Sequence, residues 1–172
     1  MRRGYIQVYT GSGKGKTTAA LGLALRAAGA GMRVFIAQFI KKRQCSEHKA
    51  LAKFSDLVTI NQYGKGFILR RSPNASDIEA AQKGLAAVRK VMEERLADVV
   101  ILDEANIAVN RGLIAVDELI GIMEMKPAGI ELVITGRYAD AGVIDKADLV
   151  TEMREVKHYA KKGVKARVGI EK

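Results

Sequence analysis

Between Thr10 and Thr18 the chain reads Thr-Gly-Ser-Gly-Lys-Gly-Lys-Thr-Thr, a run of residue types suited to holding a polyphosphate. Gly11, Gly13 and Gly15 leave the backbone free to curl with its N–H groups turned inward, and Lys14 and Lys16 add positive charge. Ser12 and Thr18 complete the loop. Thr17 places a hydroxyl where a Mg²⁺ ligand is needed, at the start of a helix whose dipole favours anions. The strict phosphate-loop pattern is Gly, four residues, then Gly-Lys-Ser/Thr. Gly15-Lys16-Thr17 satisfy its end, whereas Thr10 stands where the first Gly belongs.

A second group of chemistry-bearing residues is Asp103-Glu104, which follows the apolar run Val99-Val100-Ile101-Leu102. That pattern describes a buried strand with carboxylates at its C-terminal end, the edge where open α/β sheets bind ligands. In phosphate-loop proteins a carboxylate at that position helps to hold Mg²⁺, directly or through water. Arg137 follows another apolar run. Its spacing is compatible with a phosphate contact and equally with a solvated or paired arginine. Cys45 and His48 have ligand-like spacing, but two residues do not make a zinc site, and a packed or partly exposed thiol is the plainer expectation.

These groups need a frame, and the flanking sequence supplies one. Tyr5–Tyr9 is β-rich, and Ala19 to Ala30, rich in Ala and Leu and broken by Gly22 and Gly29, reads as a helix. Strand, glycine loop and helix in succession give the motif its structural context. Arg33–Phe39 reads as a second strand, followed by the basic loop Lys41-Lys42-Arg43, a short helical segment near Glu47 to Phe54 and a strand at Leu57–Ile60. Gln62 to Asn74, with Gly64, Gly66 and Pro73, reads as a long loop. Ser76-Asp77-Ile78-Glu79 has the form of a capping box opening a helix that runs to about Ala97. After the Asp98–Glu104 strand come a helix over Ala115–Met125, ended by Pro127 and Gly129, and a strand at Ile130–Thr135. Leu149–Met153 reads as a last core strand, ahead of a basic tail. Strands alternating with helices predict a parallel sheet covered on both faces.

At 172 residues and 48% hydrophobic content the chain suits a single domain, residues 1–172, with a sizeable core. The basic N-terminus runs straight into the glycine loop, so no signal peptide is expected, and no stretch approaches the roughly 20 apolar residues of a membrane span. The single Cys45 cannot form an internal disulfide, which suits a reducing cytosol. The formal charge of +10 comes from 29 Lys and Arg against 19 Asp and Glu. No aromatic-interleaved basic motif or helix-turn-helix pattern accompanies it, so the surplus reads mainly as solvated surface plus a polyphosphate site, with nucleic acid the minority alternative.

The motif chemistry is that of a Mg-nucleotide site. Asn61-Gln62-Tyr63-Gly64 fails the guanine-specific Asn-Lys-x-Asp pattern, which favours ATP. Hydrolysis or kinase chemistry needs a group to position water or take a proton, a part Glu104 could play. Only Arg70-Arg71 hints at an arginine-rich lid.

Taken together, the motifs resemble the P-loop type of ATP:corrinoid adenosyltransferase. The likeness runs from Val8-Tyr9-Thr10-Gly11 through Gly13-Lys14-Gly15-Lys16-Thr17-Thr18-Ala19-Ala20, Arg26-Ala27 and Gln38-Phe39-Ile40-Lys41. It continues through Leu102-Asp103-Glu104, Thr135-Gly136-Arg137 and Ala147–Met153, and closes with Val156-Lys157-His158, Gly163–Ala166 and Gly169-Ile170. Thr at the first loop position is itself typical of that family. The resemblance implies a RecA-like P-loop α/β fold and attack of a reduced Co(I) corrinoid on the 5′ carbon of ATP, with tripolyphosphate leaving. Carried over by position, Gly11 to Thr18 would wrap the triphosphate, with Lys16 on the leaving phosphates and Thr17, Glu104 and Asp103 at Mg²⁺. Lys16, Thr17 and Glu104 are the implied catalytic set, and Arg26 and Arg137 join the loop at the nucleotide.

The same resemblance implies a cytoplasmic homodimer, served by a flavoprotein reductase. The family's Gly-Phe-Thr-Trp, which faces the corrin, is Gly66-Phe67-Ile68-Leu69 here, so Phe67 matches and Leu69 stands in the tryptophan position. Glu47 is preceded by Ser46 where Gly is usual, and Lys42 also replaces a Gly. A structural role is expected for His158. The rival readings are a P-loop ATPase coupling hydrolysis to movement or nucleic-acid binding, and a nucleotide-binding regulator without catalysis.

Overall fold

The computed structural model describes residues 3–66 and 71–171. Six strands form one parallel sheet: β1 (Ile6–Thr10), β2 (Val34–Gln38), β3 (Val58–Gln62), β4 (Val99–Asp103), β5 (Glu131–Thr135) and β6 (Leu149–Glu152), in the order β3-β2-β4-β5-β1-β6. Every residue of β2, β4 and β5 is buried, as the continuous apolar runs of strands covered on both faces require.

Two packed layers bury the sheet. Helix α1 (Lys16–Gly29) lays Ala20, Ala24, Ala27 and Ala28 against Ile36, Val99, Ile101 and Val133, with Leu51 of α2 (Ser46–Leu51) beside them. Small side chains on α1 let it sit close to the strands. The opposite layer holds α3 (Ala75–Glu93), α4 (Ala105–Asn110), α5 (Val116–Met125) and α6 (Ala141–Lys146), burying Leu85, Met92, Ile107, Leu119 and Val143 against Val8, Val100, Leu102, Leu132 and Ile134. Among the described residues no helix is long and apolar enough to cross a membrane.

The topology puts β5 between β1 and β4. The glycine loop after β1 and the carboxylates ending β4 are therefore bridged by whatever ends β5, and that residue is Thr135.

Four sequence expectations need correction. The capping box is formed by Asn74 and Asp77 and not by Ser76 and Glu79: Asn74 Oδ1 accepts from Asp77 N at 3.1 Å, and Asp77 Oδ2 accepts from Asn74 N at 2.9 Å. Asn caps as well as Ser does, and Asp77 sits at the position from which its side chain reaches back to the Asn74 N–H. Glu79 instead pairs with Lys83, one turn on. The helix ends at Glu93, short of Ala97, because Arg95 takes a left-handed backbone conformation (φ 53°), a common helix terminator. Strand β6 is an edge strand, all four of its residues exposed, because it pairs with β1 alone. Helices α4 and α6 lie in stretches without a helical expectation.

Candidate functional site

The loop Gly11–Gly15 emerges from β1 at the C-terminal edge of the sheet and runs into the first turn of α1. Its backbone is braced by the segment after β6: Met153 N donates to Thr10 O at 2.9 Å, Gly13 N donates to Met153 O at 2.6 Å, and Glu155 N donates to Ser12 Oγ at 3.3 Å. A Cβ on Gly13 would lie 2.7 Å from Met153 O, so glycine is required there by close approach. Gly11 and Gly15 have φ of 94° and 120°, the left-handed region that glycine enters freely. Thr10, in the place of the usual first Gly, is buried, and its Oγ1 accepts from Ala139 N at 3.3 Å, tying β1 to the loop before α6.

Lys16 is buried and crosses the loop, its Nζ donating to Gly11 O at 2.8 Å and to Gly13 O at 2.7 Å. Burial pushes its ammonium below the ordinary lysine range, Glu104 opposes that, and Arg137 adds to it. Lys14 reaches the C-terminal tail at Ile170 O, 3.1 Å away.

Asp103 is 1% exposed and lies where four elements meet. Its Oδ1 accepts from Thr17 Oγ1 and from Thr135 Oγ1, both at 2.8 Å. Its Oδ2 accepts from Gln38 Nε2 at 2.9 Å and faces Lys41 Nζ at 3.6 Å. Burial works to lower the Lys41 pKa, but Asp103 and Glu47 outweigh it and raise it, so the ammonium is held charged.

Glu104 has a left-handed backbone (φ 62°), rare for a side chain of its size, and its N–H donates to Thr135 Oγ1 at 3.0 Å. Such outliers persist only where the surroundings over-determine them, and they gather at functional sites. Burial and then the Asp103 charge push the Glu104 carboxyl above its ordinary range, against Lys41, Lys16 and Arg137. Arg137 is exposed but close enough to act electrostatically on both Lys16 and Glu104.

The structure thus brings Gly11 to Thr18, Asp103, Glu104 and Arg137 to one sheet edge. Arg26 is elsewhere: it is exposed in the last turn of α1, roughly 13 Å along the helix from Thr17. There its charge bears on Tyr9. Phe67 and Leu69 lie outside the described residues. His158 caps the short helical turn Tyr159–Lys162 by accepting from Ala160 N. Cys45, Glu47 and His48 bring ligand-type atoms within 4.8 Å of one another. Both His48 nitrogens already have hydrogen-bond partners, however, and Glu47 faces Lys41 at 3.3 Å. Gln38 and Thr135 had no assigned role from sequence; the signal available was a polar residue following the apolar run 34–37 of β2 and the apolar run 132–134 of β5.

The sequence model of the family "ATP:corrinoid adenosyltransferase BtuR/CobO/CobP" matches residues 2–171. A corrinoid adenosyltransferase of Pseudomonas aeruginosa is 36% identical over 98% of this chain and 84% of its own length. The corrinoid adenosyltransferase CobA of Salmonella typhimurium is 36% identical over 98% of this chain and 86% of its own, and a corrinoid adenosyltransferase of Escherichia coli is 34% identical over the same shares. Among solved structures, the flagellar accessory protein FlaH from Methanocaldococcus jannaschii superposes with a TM-score of 0.59 at 13% identity, covering 88% of this chain and 72% of that one. That likeness concerns the fold alone, which is the RecA-like P-loop α/β fold. The chain belongs to the ATP:corrinoid adenosyltransferase family.

Proposed function

We propose that this protein transfers the 5′-deoxyadenosyl group of ATP to the Co(I) centre of a reduced corrinoid and releases tripolyphosphate. The observation that carries this reading is the family match over residues 2–171. The junction of Thr17, Asp103 and Thr135 at the mouth of the glycine loop is consistent with it.

The proposed chemistry asks little proton transfer of the protein. The electron pair of Co(I) attacks the 5′ carbon, the bond from that carbon to the triphosphate oxygen breaks, and its electrons leave on tripolyphosphate. The nucleophile carries no proton to be removed, so the protein's part is positioning and charge stabilisation.

Gly11 to Thr18 would supply inward N–H groups to the triphosphate, and Lys16, freed from the Gly11 and Gly13 carbonyls, would neutralise the leaving phosphates. Arg137 completes the proposed phosphate contacts at the loop, Arg26 is too far down α1 from Thr17 to join them there, and Phe67 and Leu69 would supply the corrinoid contacts. Thr17, Asp103 and Glu104 offer the hard oxygen donors that Mg²⁺ takes, and Asp103, ringed by donors, is fixed in orientation. Bound there, Mg²⁺ would offset charge developing on the leaving group. The surroundings that fit this reading are a cytoplasmic homodimer receiving electrons from a flavoprotein reductase.

The test is anaerobic incubation with ATP, Mg²⁺ and chemically reduced cobalamin, followed by its absorption spectrum. Formation of a light-sensitive cobalt–carbon product is the expected result. An unchanged cobalamin spectrum with ADP accumulating would favour the hydrolytic alternative and overturn this one.

A further inference from the structure

Gln38 ends β2 directly beside Asp103 in the sheet register and is fully buried. A buried primary amide can be placed either way round, and only one orientation here suits Asp103. With Nε2 toward the carboxylate it donates to Oδ2; flipped, its oxygen would face a carboxylate oxygen across the same 2.9 Å. What selects the orientation lies on the far side of the amide. Gln38 Oε1 accepts from Gln62 Nε2 at 3.2 Å and meets His48 Nε2 at 2.8 Å.

The tautomer of His48 follows from its other nitrogen. Nδ1 is 3.0 Å from the Cys45 backbone N–H, which can only donate, so Nδ1 accepts and the ring proton sits on Nε2. Every bond in the series then points one way. Cys45 N donates to His48, His48 Nε2 donates to Gln38 Oε1, and Gln38 Nε2 donates to Asp103. Thr17 meets the same carboxylate from the other side.

We propose that His48 is a positioning residue for the metal–nucleotide site, fixing through Gln38 the orientation of the Asp103 carboxylate. The inference rests on the proposed function in taking Asp103 to serve Mg·ATP. It assigns β2 and α2, which lie off the glycine loop, a part in setting metal affinity. His48 touches neither metal nor nucleotide in this scheme; it acts only by holding the amide.

The test measures binding, so it needs no corrinoid turnover. The affinities of the wild-type protein for Mg·ATP and for ATP in EDTA are compared by calorimetry with those of His48→Phe, His48→Gln, Gln38→Leu and the double variant His48→Phe/Gln38→Leu. Replacing an outer partner of a metal ligand typically weakens metal affinity by about 10- to 100-fold, and His48, one bond further out, is expected at about the lower end of that range or below it. His48→Phe should therefore weaken Mg·ATP binding by about three- to tenfold and leave ATP in EDTA unchanged. His48→Gln, which keeps a donor able to reach Gln38, should restore binding. The double variant should match Gln38→Leu, because the two residues act in series.

Wild-type Mg·ATP affinity in folded His48→Phe would overturn the proposal. So would equal losses with and without metal, or additive losses in the double variant. If His48→Phe does not fold, His48→Gln against Gln38→Leu still decides, since near-wild-type binding in the first with loss in the second is the required pattern. Failure of the adenosyl-transfer reading would show separately, as wild-type protein that binds Mg·ATP and makes no cobalt–carbon product.

Discussion

The glycine loop and the two described ends of the connection from Gln62 to Asn74 both lie on the C-terminal side of the sheet, yet they are held by different means. The loop is held by backbone. Its main-chain groups bond to Met153, Lys16 returns to its carbonyls, and Gly13 lies so close to Met153 O that no side chain fits. The connection is held at its two ends, and at the far end by side chains. At the near end Tyr63 N donates to Gln38 O, and a Cβ on Gly64 would lie 2.2 Å from the Ile40 carbonyl carbon. At the far end the Arg71 guanidinium makes two bonds to Asp77, at 2.6 and 2.8 Å, while Arg111 Nη2 donates to Arg71 O. A backbone-built grip demands a fixed sequence, because the identity of each glycine is its function. Between the described ends of the connection lie Phe67 and Leu69, outside the described residues, where the sequence departs from the Gly-Phe-Thr-Trp pattern that the family resemblance implies.

The contrast can be broken most severely at Lys16. Lys16→Ala removes the only charged group threaded through the loop among the described residues. Loss of a single group that stabilises developing charge typically costs about 10²- to 10³-fold, and transfer in steady-state assays should fall by at least that much. Substantial turnover would disconnect the loop from the chemistry.

Gly13→Ala comes next, since it forces a methyl to within 2.7 Å of a backbone oxygen. Overpacking of that kind costs about 1–3 kcal/mol. The loss should appear in urea denaturation together with weaker ATP binding, whereas Gly22→Ala, on the open face of α1, should not destabilise.

At the other region the effects should fall on stability and on the corrinoid. The Arg71 guanidinium holds the Asp77 carboxyl at about 2, below its ordinary 3.8. A depressed carboxylate contributes stability that is present above pH 3.8 and fades as the pH falls through about 2. The difference in melting temperature between wild type and Asp77→Asn should therefore be largest near neutrality and shrink below about pH 4. A difference independent of pH would mean that the carboxylate's charge is not what holds the connection. The smallest effect is expected from Phe67→Ala, a rise in the corrinoid KM of about tenfold or less with the ATP KM unchanged, as for one lost apolar contact.

Much of the site was legible because its chemistry is local. The glycines, Lys16 and Thr17 adjoin one another in the sequence, and the acids of β4 follow directly on an apolar run. What escaped were residues whose meaning comes from partners far along the chain. Thr135 joins Asp103 to Glu104 only because β5 is inserted between β1 and β4. Gln38 and His48 count only because β2 pairs with β4. The fold failed to read where local signals competed: Asn74 and Ser76 are both good caps, and Asn74 takes the part because Asp77, three residues on, bonds back to its N–H. Strand β6 looks like core by its apolar residues, and nothing within Leu149–Met153 shows that it has one neighbour. Helix α4 follows β4 after the single left-handed residue Glu104, with no glycine or proline to mark the turn.

The most direct measurement is the identity of the phosphate product, read by phosphorus NMR after anaerobic reaction of the wild-type protein with Mg·ATP and reduced corrinoid. The expected result is one intact tripolyphosphate for each adenosylcorrinoid formed, which places the break at the 5′ carbon. ADP with orthophosphate, and no adenosylcorrinoid, would contradict the reading that the loop grips a tripolyphosphate leaving group.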